Sequence, residues 1–311
     1  MRHPSVARPG AVAVVTGGAR GIGRETARLL AERGARVAVG DLDADAVART
    51  AADLDAALGG HAGAVAFAGR LDVTDRASFA AFVASVRDEV GPVDVLVNNA
   101  GVMPLGPFLD EPDEVSATTL DVNVRGLVNG MRVVLPEMVG RGRGHVVNVC
   151  SLAGKLPLPG MAVYNASKYA AVGLTASVRE EMAAHGVSVS AVLPTAVRTG
   201  LTEGVRLGGG LPTIDPERVA EAIVRSCVSR RAEYPVPGWL AVVGPALALA
   251  PEGVVRAFRR LMDGDRAYRQ TFGTRGAHDQ RVAEQAAHRR TPAHDRAPAH
   301  DAHQGREESD G

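Results

Sequence analysis

Ala11-Val12-Ala13-Val14-Val15-Thr16-Gly17-Gly18-Ala19-Arg20-Gly21-Ile22-Gly23 is the stretch that decides the fold. Its apolar start, Ala11–Val15, reads as a short buried strand. Glycines crowd the next positions, and a helical pattern opens at Arg24. Glycine permits a tight turn and lets the backbone come close to a ligand. The helix N-terminus that follows offers free N–H groups and the positive end of a dipole, which together suit a pyrophosphate. The spacing is Gly-x-x-x-Gly-x-Gly, not the more common Gly-x-Gly-x-x-Gly. A purely structural glycine turn is the bland alternative, and the position between a first strand and a first helix favours cofactor binding.

Outward from this turn the chain alternates strand-like and helix-like segments. Predicted strands cover Ala11–Val15, Arg36–Gly40, Val65–Ala68, Val93–Val97, His145–Val149 and Val187–Leu193. Predicted helices cover Arg24–Arg33, Ala44–Leu58, Arg76–Val90, Val115–Val139 and Ala166–His185. This alternation predicts an α/β fold: a single Rossmann-like, doubly wound parallel sheet flanked by helices. The near-continuous apolar strands agree, because central parallel strands are buried on both faces. The expected organisation is a flexible lead-in over 1–10, a catalytic domain over 11–272, and a polar, His-rich disordered tail over 273–311. From Arg275 onward the only large apolar residue is Val282. Five of the chain's nine histidines lie there, and a solvated tail outweighs adventitious metal binding.

Bulk properties narrow the function. The 311 residues suffice for one large α/β domain with a real core. Lys+Arg and Asp+Glu are both 35, so the charge is balanced and lacks the basic footprint of a nucleic-acid binder. Two cysteines, Cys150 and Cys227, do not make a disulfide framework and fit a reducing, cytoplasmic setting. No metal-ligand spacing occurs in the body of the chain. Ala11–Val15 is too short for the hydrophobic region of a signal peptide.

Two constellations carry chemistry. The second strand leads into Asp41, about 20 residues beyond the glycines, where an acid accepts hydrogen bonds from ribose hydroxyls. A carboxylate there repels a 2′-phosphate, so NAD is expected over NADP. Arg20, inside the turn, is the argument for NADP. Further on, Tyr164-Asn165-Ala166-Ser167-Lys168 places Tyr and Lys on one helical face. A free tyrosine, with a pKa of about 10, is a poor base at neutral pH, and a nearby ammonium favours its phenolate. Ser151 follows the strand His145–Val149, at the strand end that faces the ligand crevice of a parallel sheet.

Together these segments resemble the short-chain dehydrogenase/reductase family, from about Ala11 to Thr199. The glycine turn supplies Gly17, Arg20, Gly21, Ile22 and Gly23. Asp72-Val73 resembles the family's pair beside the adenine, and Asn98-Asn99-Ala100-Gly101 its Asn-Asn-Ala-Gly stretch. Asn123, Ser151, Tyr164 and Lys168 match the catalytic tetrad, and Pro194, Val197 and Thr199 the segment that closes over the nicotinamide. One departure is Thr195, where a glycine usually follows the proline. The resemblance implies that Tyr164 exchanges a proton with the substrate oxygen while Ser151 orients that oxygen. It implies that Lys168 lowers the tyrosine pKa and holds the nicotinamide ribose, and that Asn123 supports a relay water. It also implies a homodimer or homotetramer built through the long helices.

After the tetrad, the glycine-rich stretch within 195–215 reads as a substrate lid. Residues 234–262 form an apolar segment followed by a basic amphipathic helix, expected as a pocket wall or interface in preference to peripheral membrane contact. The expected substrate is an apolar alcohol or ketone. The competing readings are a catalytically silent nucleotide sensor of the same fold and an NAD-using epimerase or dehydratase. The complete tetrad opposes the first. The second usually needs a longer C-terminal domain.

Overall fold

The computed structural model describes residues 9–58, 65–202 and 212–241, together with 250, 251, 253, 254, 256, 257 and 282. The first half runs β1 (Val12–Thr16), α1 (Gly21–Glu32), β2 (Arg36–Asp41), α2 (Ala44–Ala57), β3 (Val65–Arg70), α3 (Arg76–Glu89) and β4 (Val95–Asn98). The second runs α4 (Asp113–Leu120), a π-helical turn (Asp121–Arg125), α5 (Gly126–Gly140), β5 (Gly144–Val149), α6 (Ala162–Ala183), β6 (Val187–Pro194), α7 (Pro216–Ser229) and β7 (Glu233–Val236).

The strands form one seven-stranded sheet in the order β3-β2-β1-β4-β5-β6-β7. Every neighbouring pair is parallel. Chain order reverses between β1 and β4, and that is where a doubly wound sheet opens its ligand crevice. Alternate residues of β1 point to opposite faces. Val12 and Val14 pack with Phe79, Leu96 and Met138 on the α3–α5–α6 side. Ala13 and Val15 pack with Leu30, Leu54 and Ile223 on the α1–α2–α7 side. The doubly wound architecture is thus present, with helices on both faces.

Three elements differ from the sequence expectation. The long helix expected over Val115–Val139 is split into α4 and α5 by the π turn. Helix α6 begins at Ala162, four residues before the expected start at Ala166, and so includes Tyr164 in its first turn. The apolar segment expected as a wall over 234–262 begins as edge strand β7, whose Tyr234 and Val236 are buried in the second core cluster. Pro235 hid that strand, because proline is tolerated in a sheet at an edge. Leu240 is buried and Trp239 is exposed, while most of the remaining segment lies outside the described residues. Part of the expected lid, 203–211, likewise lies outside the described residues. Of the tail, only Val282 is described, and it is buried within the first core cluster; the other residues of the expected tail lie outside the described residues.

His145 illustrates how the core accommodates a polar side chain. It is fully buried in β5, with Nδ1 2.8 Å from Ser188 Oγ and Nε2 3.1 Å from Ser226 Oγ. Burial first, then the charges of Arg230 and Arg179, push its pKa down to about 3. As pH falls below roughly 6.5 the unfolded chain takes up a proton that the folded chain refuses, so stability is lost on acidification toward pH 3. His145→Gln is expected to remove about 2 kcal/mol of the stability lost between about pH 7 and 5, measured by urea unfolding. Equal losses in wild type and variant would refute this account.

Candidate active site

The cofactor turn is held from the neighbouring strand. Thr16 Oγ1, at the end of β1, accepts from the N–H groups of Asn99 (3.0 Å) and Ala100 (3.1 Å). It also donates to Val97 O at 3.4 Å. The Asn99 amide reaches back and donates to Thr16 O and Gly17 O, both at 3.0 Å. Two glycines make this approach feasible. Gly17 has φ +63 and would place a Cβ 2.9 Å from Ala100 Cα. A Cβ on Gly23 would lie 2.1 Å from Gly17 O and 2.7 Å from Asn99 Nδ2. Gly101 borders the other half of the site: a Cβ there would lie 3.1 Å from Asn123 Oδ1 and 3.8 Å from Lys168 Nζ.

Asp41 is half-buried at the end of β2. Its Oδ2 accepts from Ala19 N at 3.1 Å and its Oδ1 from Asp43 N at 3.3 Å, so it braces the glycine turn. Asp43 is the N-cap of α2, accepting from Ala46 N at 2.9 Å. It also pairs with Arg20 at 3.0 Å on the surface. The turn's one basic side chain is therefore already engaged by a carboxylate. Asp72 Oδ1 accepts from the backbone and hydroxyl of Thr74, at 3.0 and 2.7 Å. Val73 O accepts from Asn129 Nδ2 at 2.9 Å, which fastens this loop to α5. Ile22 packs against the second core cluster. Val197 is buried, and the Thr199 methyl lies 3.1 Å from where a Cβ of Gly21 would sit, which brings the β6 exit onto the glycine turn. Pro194 ends β6. Thr195, in the place of the usual glycine, donates its hydroxyl to Pro212 O at 2.9 Å.

The four residues expected as a tetrad, Asn123, Ser151, Tyr164 and Lys168, lie together near the carboxyl ends of β4 and β5. The π turn rotates Asn123 inward, a common use of such turns. Its Oδ1 accepts from Val102 N, and its Nδ2 donates to Val102 O, both at 2.9 Å. Nδ2 also donates to Ser167 Oγ at 3.0 Å. Both amide N–H donors are thus used within the protein. Ser151 is extended and its Oγ accepts from Ala153 N at 3.1 Å, starting the short turn Leu152–Gly154. Lys168 Nζ donates to Val149 O at 3.2 Å and lies 5.6 Å from the centroid of the Tyr164 ring.

Electrostatics here run against one expectation. Burial pushes the Tyr164 phenol up to about 12, while its hydrogen bond with Ser151 pulls the pKa down. Burial likewise lowers the Lys168 pKa, opposed by Cys150. Lys168 therefore does not bring the phenol below its ordinary value. Desolvation outweighs an ammonium that is itself desolvated and bonded to Val149 O.

Sequence reasoning missed several residues of the site. Met103, Leu105, Ala153 and Met161 form a buried apolar cluster with Tyr164, and Leu158 and Leu201 pack against it. Met103 and Leu105 directly follow the Asn-Asn-Ala-Gly stretch, a positional signal that was available. The bonds of Thr16 to Asn99 and Ala100, and of Ser167 to Asn123, could not be read from the sequence, since those partners lie far away in it. Among the described residues no group of three or more His, Cys, Asp or Glu could hold a metal ion.

The short chain dehydrogenase family matches residues 11–208. This chain belongs to the short-chain dehydrogenase/reductase family. Oxidoreductase UcpA of Salmonella typhimurium is 37% identical over 228 residues, covering 73% of this chain and 84% of that protein. A short-chain dehydrogenase/reductase from Burkholderia phymatum, solved in complex with NAD, aligns with TM-score 0.68 at 28% identity. That alignment covers 85% of this chain and 98% of the other. A metagenomic short-chain oxidoreductase in complex with NADP aligns with TM-score 0.64 at 33% identity, covering 74% and 97%. As a short-chain dehydrogenase/reductase, the protein is an NAD(P)-binding oxidoreductase.

The residues present fit such a cofactor. The turn at Gly17 and Gly23 leaves no room for side chains, and Asp41 borders it. Of the three Lys168 N–H donors, Val149 O takes one among the described residues. The other two suit ribose hydroxyls. Thr16→Val is expected to cost roughly 1–3 kcal/mol of stability, because it leaves the half-buried N–H groups of Asn99 and Ala100 without their acceptor. Thr16→Ser should retain most of it, and Gly23→Ala should weaken NAD(H) binding at least about tenfold by calorimetry. Unchanged binding in Gly23→Ala would show that the turn does not cradle the cofactor.

Proposed function

We propose that this short-chain dehydrogenase/reductase interconverts an alcohol and a ketone or aldehyde on an apolar substrate, with NAD preferred over NADP and Tyr164 as acid/base. The observation that carries this reading is the Tyr164 phenol. It is buried in an apolar cluster, hydrogen-bonded to Ser151 and close to the Lys168 ammonium. The nicotinamide, when bound, supplies the hydride acceptor or donor. Ser151 orients the substrate oxygen toward the phenol. With a pKa of about 12, Tyr164 is protonated at neutral pH and ready to give its proton to an oxygen that gains negative charge. In the oxidation direction it must take that proton, and the Ser151 hydrogen bond and the Lys168 ammonium favour the resulting phenolate. Asn123 acts through its bonds to Val102 and Ser167, holding the two halves of the site together. Met103, Leu105, Met161 and Leu201 exclude water and offer no charge to a polar substrate.

The preference for NAD rests on the Asp41 carboxylate beside the turn and on the engagement of Arg20 by Asp43. Two free, buried thiols, Cys150 and Cys227, fit a reducing cytoplasm. No helix among the described residues is long and apolar enough to cross a membrane. The exposed apolar side chains of Leu120, at the end of α4, and Tyr169, on α6, support assembly into a homodimer or homotetramer through these helices.

The test is a panel of apolar alcohols and ketones, run with NAD(H) and NADP(H) in parallel. Turnover of small sugars or hydroxy acids alone would overturn the apolar reading. Tyr164→Phe is expected to lower kcat/KM by at least about 100-fold while NAD(H) still binds. A variant with full turnover would remove Tyr164 from the mechanism. For the wild type, kcat/KM for oxidation should rise with pH from about 7 to 10, because the basic form of a group with raised pKa is required, while reduction stays flat over the same range. A falling oxidation limb would contradict the assignment.

A further inference from the structure

We propose that Ser167 is a positioning residue: its hydroxyl joins the Asn123 amide to the backbone of the catalytic turn and sets how Tyr164 and Lys168 face the substrate. The inference rests on the reading of Tyr164 as the acid/base. Ser167 is fully buried. Its Oγ accepts from Asn123 Nδ2 at 3.0 Å and donates to Tyr164 O at 2.6 Å. In helix α6 the Tyr164 carbonyl is also the regular acceptor for the Lys168 N–H. One carbonyl therefore collects the backbone bond of the lysine and the hydroxyl of the serine between the two catalytic side chains. A serine that bonds back along its own helix tends to bend it locally. At the other end, Asn123 is locked to Val102 by two bonds, so the α6 turn is tied to the exit of β4.

The bond pattern alone denotes a satisfied core contact. Thr175 and Ser226 bond back along their helices and also meet a buried side chain, Asn148 and His145 respectively, at positions that only pack. Ser167 differs in what it joins. Its acceptor is the tyrosine's own carbonyl, and its donor is the amide that fixes the neighbouring half of the site. Loss of the hydroxyl leaves Tyr164 and Lys168 in place chemically but frees the turn that aims them.

The experiment compares Ser167→Ala and Ser167→Cys with wild type, using the full chain with NAD(H), and includes Tyr164→Phe as control. Ser167→Ala is expected to lower kcat by about tenfold or more, with the KM for NAD(H) within about twofold, since small misplacement of reacting groups is costly. It should also shift the pH limb of oxidation and the ultraviolet difference titration of the Tyr164 phenol. If the alanine variant does not fold, Ser167→Cys, which keeps the side-chain volume but is a weak donor, carries the same readouts. A variant with wild-type kcat, pH profile and phenol titration, altered only in melting temperature, would overturn the role of Ser167. Such silence beside an inactive Tyr164→Phe overturns this inference alone. Full turnover by Tyr164→Phe removes the reading on which it rests.

Discussion

The hydroxyl of Thr16 is the contact on which the site depends. It sits where the strand order reverses, and its acceptor lone pairs take the N–H groups that follow β4. The Asn99 amide closes the set from the other side. A parallel sheet leaves the carboxyl ends of its strands without ladder partners, so these groups need satisfaction from somewhere. Here they find it across the crevice. The same bonds that satisfy the strand ends bring the glycine turn against Asn99-Ala100-Gly101. The cofactor half and the reaction half of the site are therefore one piece.

The reaction half is dry, and that governs its electrostatics. Tyr164, Lys168 and Cys150 are all buried, and burial is the largest influence on each. It pushes the Cys150 thiol up to about 11, keeping it neutral beside the ammonium. In a low-dielectric site, charge that appears on a substrate oxygen or on the phenol is felt strongly by the few polar groups present. The cost of desolvating Lys168 is thus met within the same environment that makes its charge effective.

Beneath this site lies a second polar chain inside the sheet. Asn98 donates to Asn148, and Asn148 to Thr175, each at 2.9 Å. These bonds join β4, β5 and α6 one layer below Asn99, Ser151 and Lys168. Apolar side chains of suitable size tolerate slippage, whereas a buried amide left without its partner is costly. The chain favours one register, in which Asn98 stands opposite Asn148. That register delivers Asn99 and Ser151 to the same edge.

The doubly wound fold, the glycine turn and the placing of Tyr164 beside Lys168 were legible in the sequence because each depends on local pattern: glycine spacing, apolar runs between helices, and two residues one helical turn apart. Other features were decided only by tertiary structure. The π turn at Asn123 exists because its amide reaches Val102, a contact that no helical periodicity encodes. Strand β7 is stable at an edge despite Pro235, since its pairing with β6 comes from a distant part of the chain. The raised pKa of Tyr164 is likewise absent from the motif: a lysine one turn away argues for a lowered value, and only the packing of Met103, Leu105 and Met161 around the ring makes desolvation the stronger effect. The sequence by itself determined which groups the site contains, because their identities and spacing are covalent facts. The tertiary structure decided how strongly each is desolvated and what holds it in place, because burial and hydrogen-bond partners come from segments far apart along the chain.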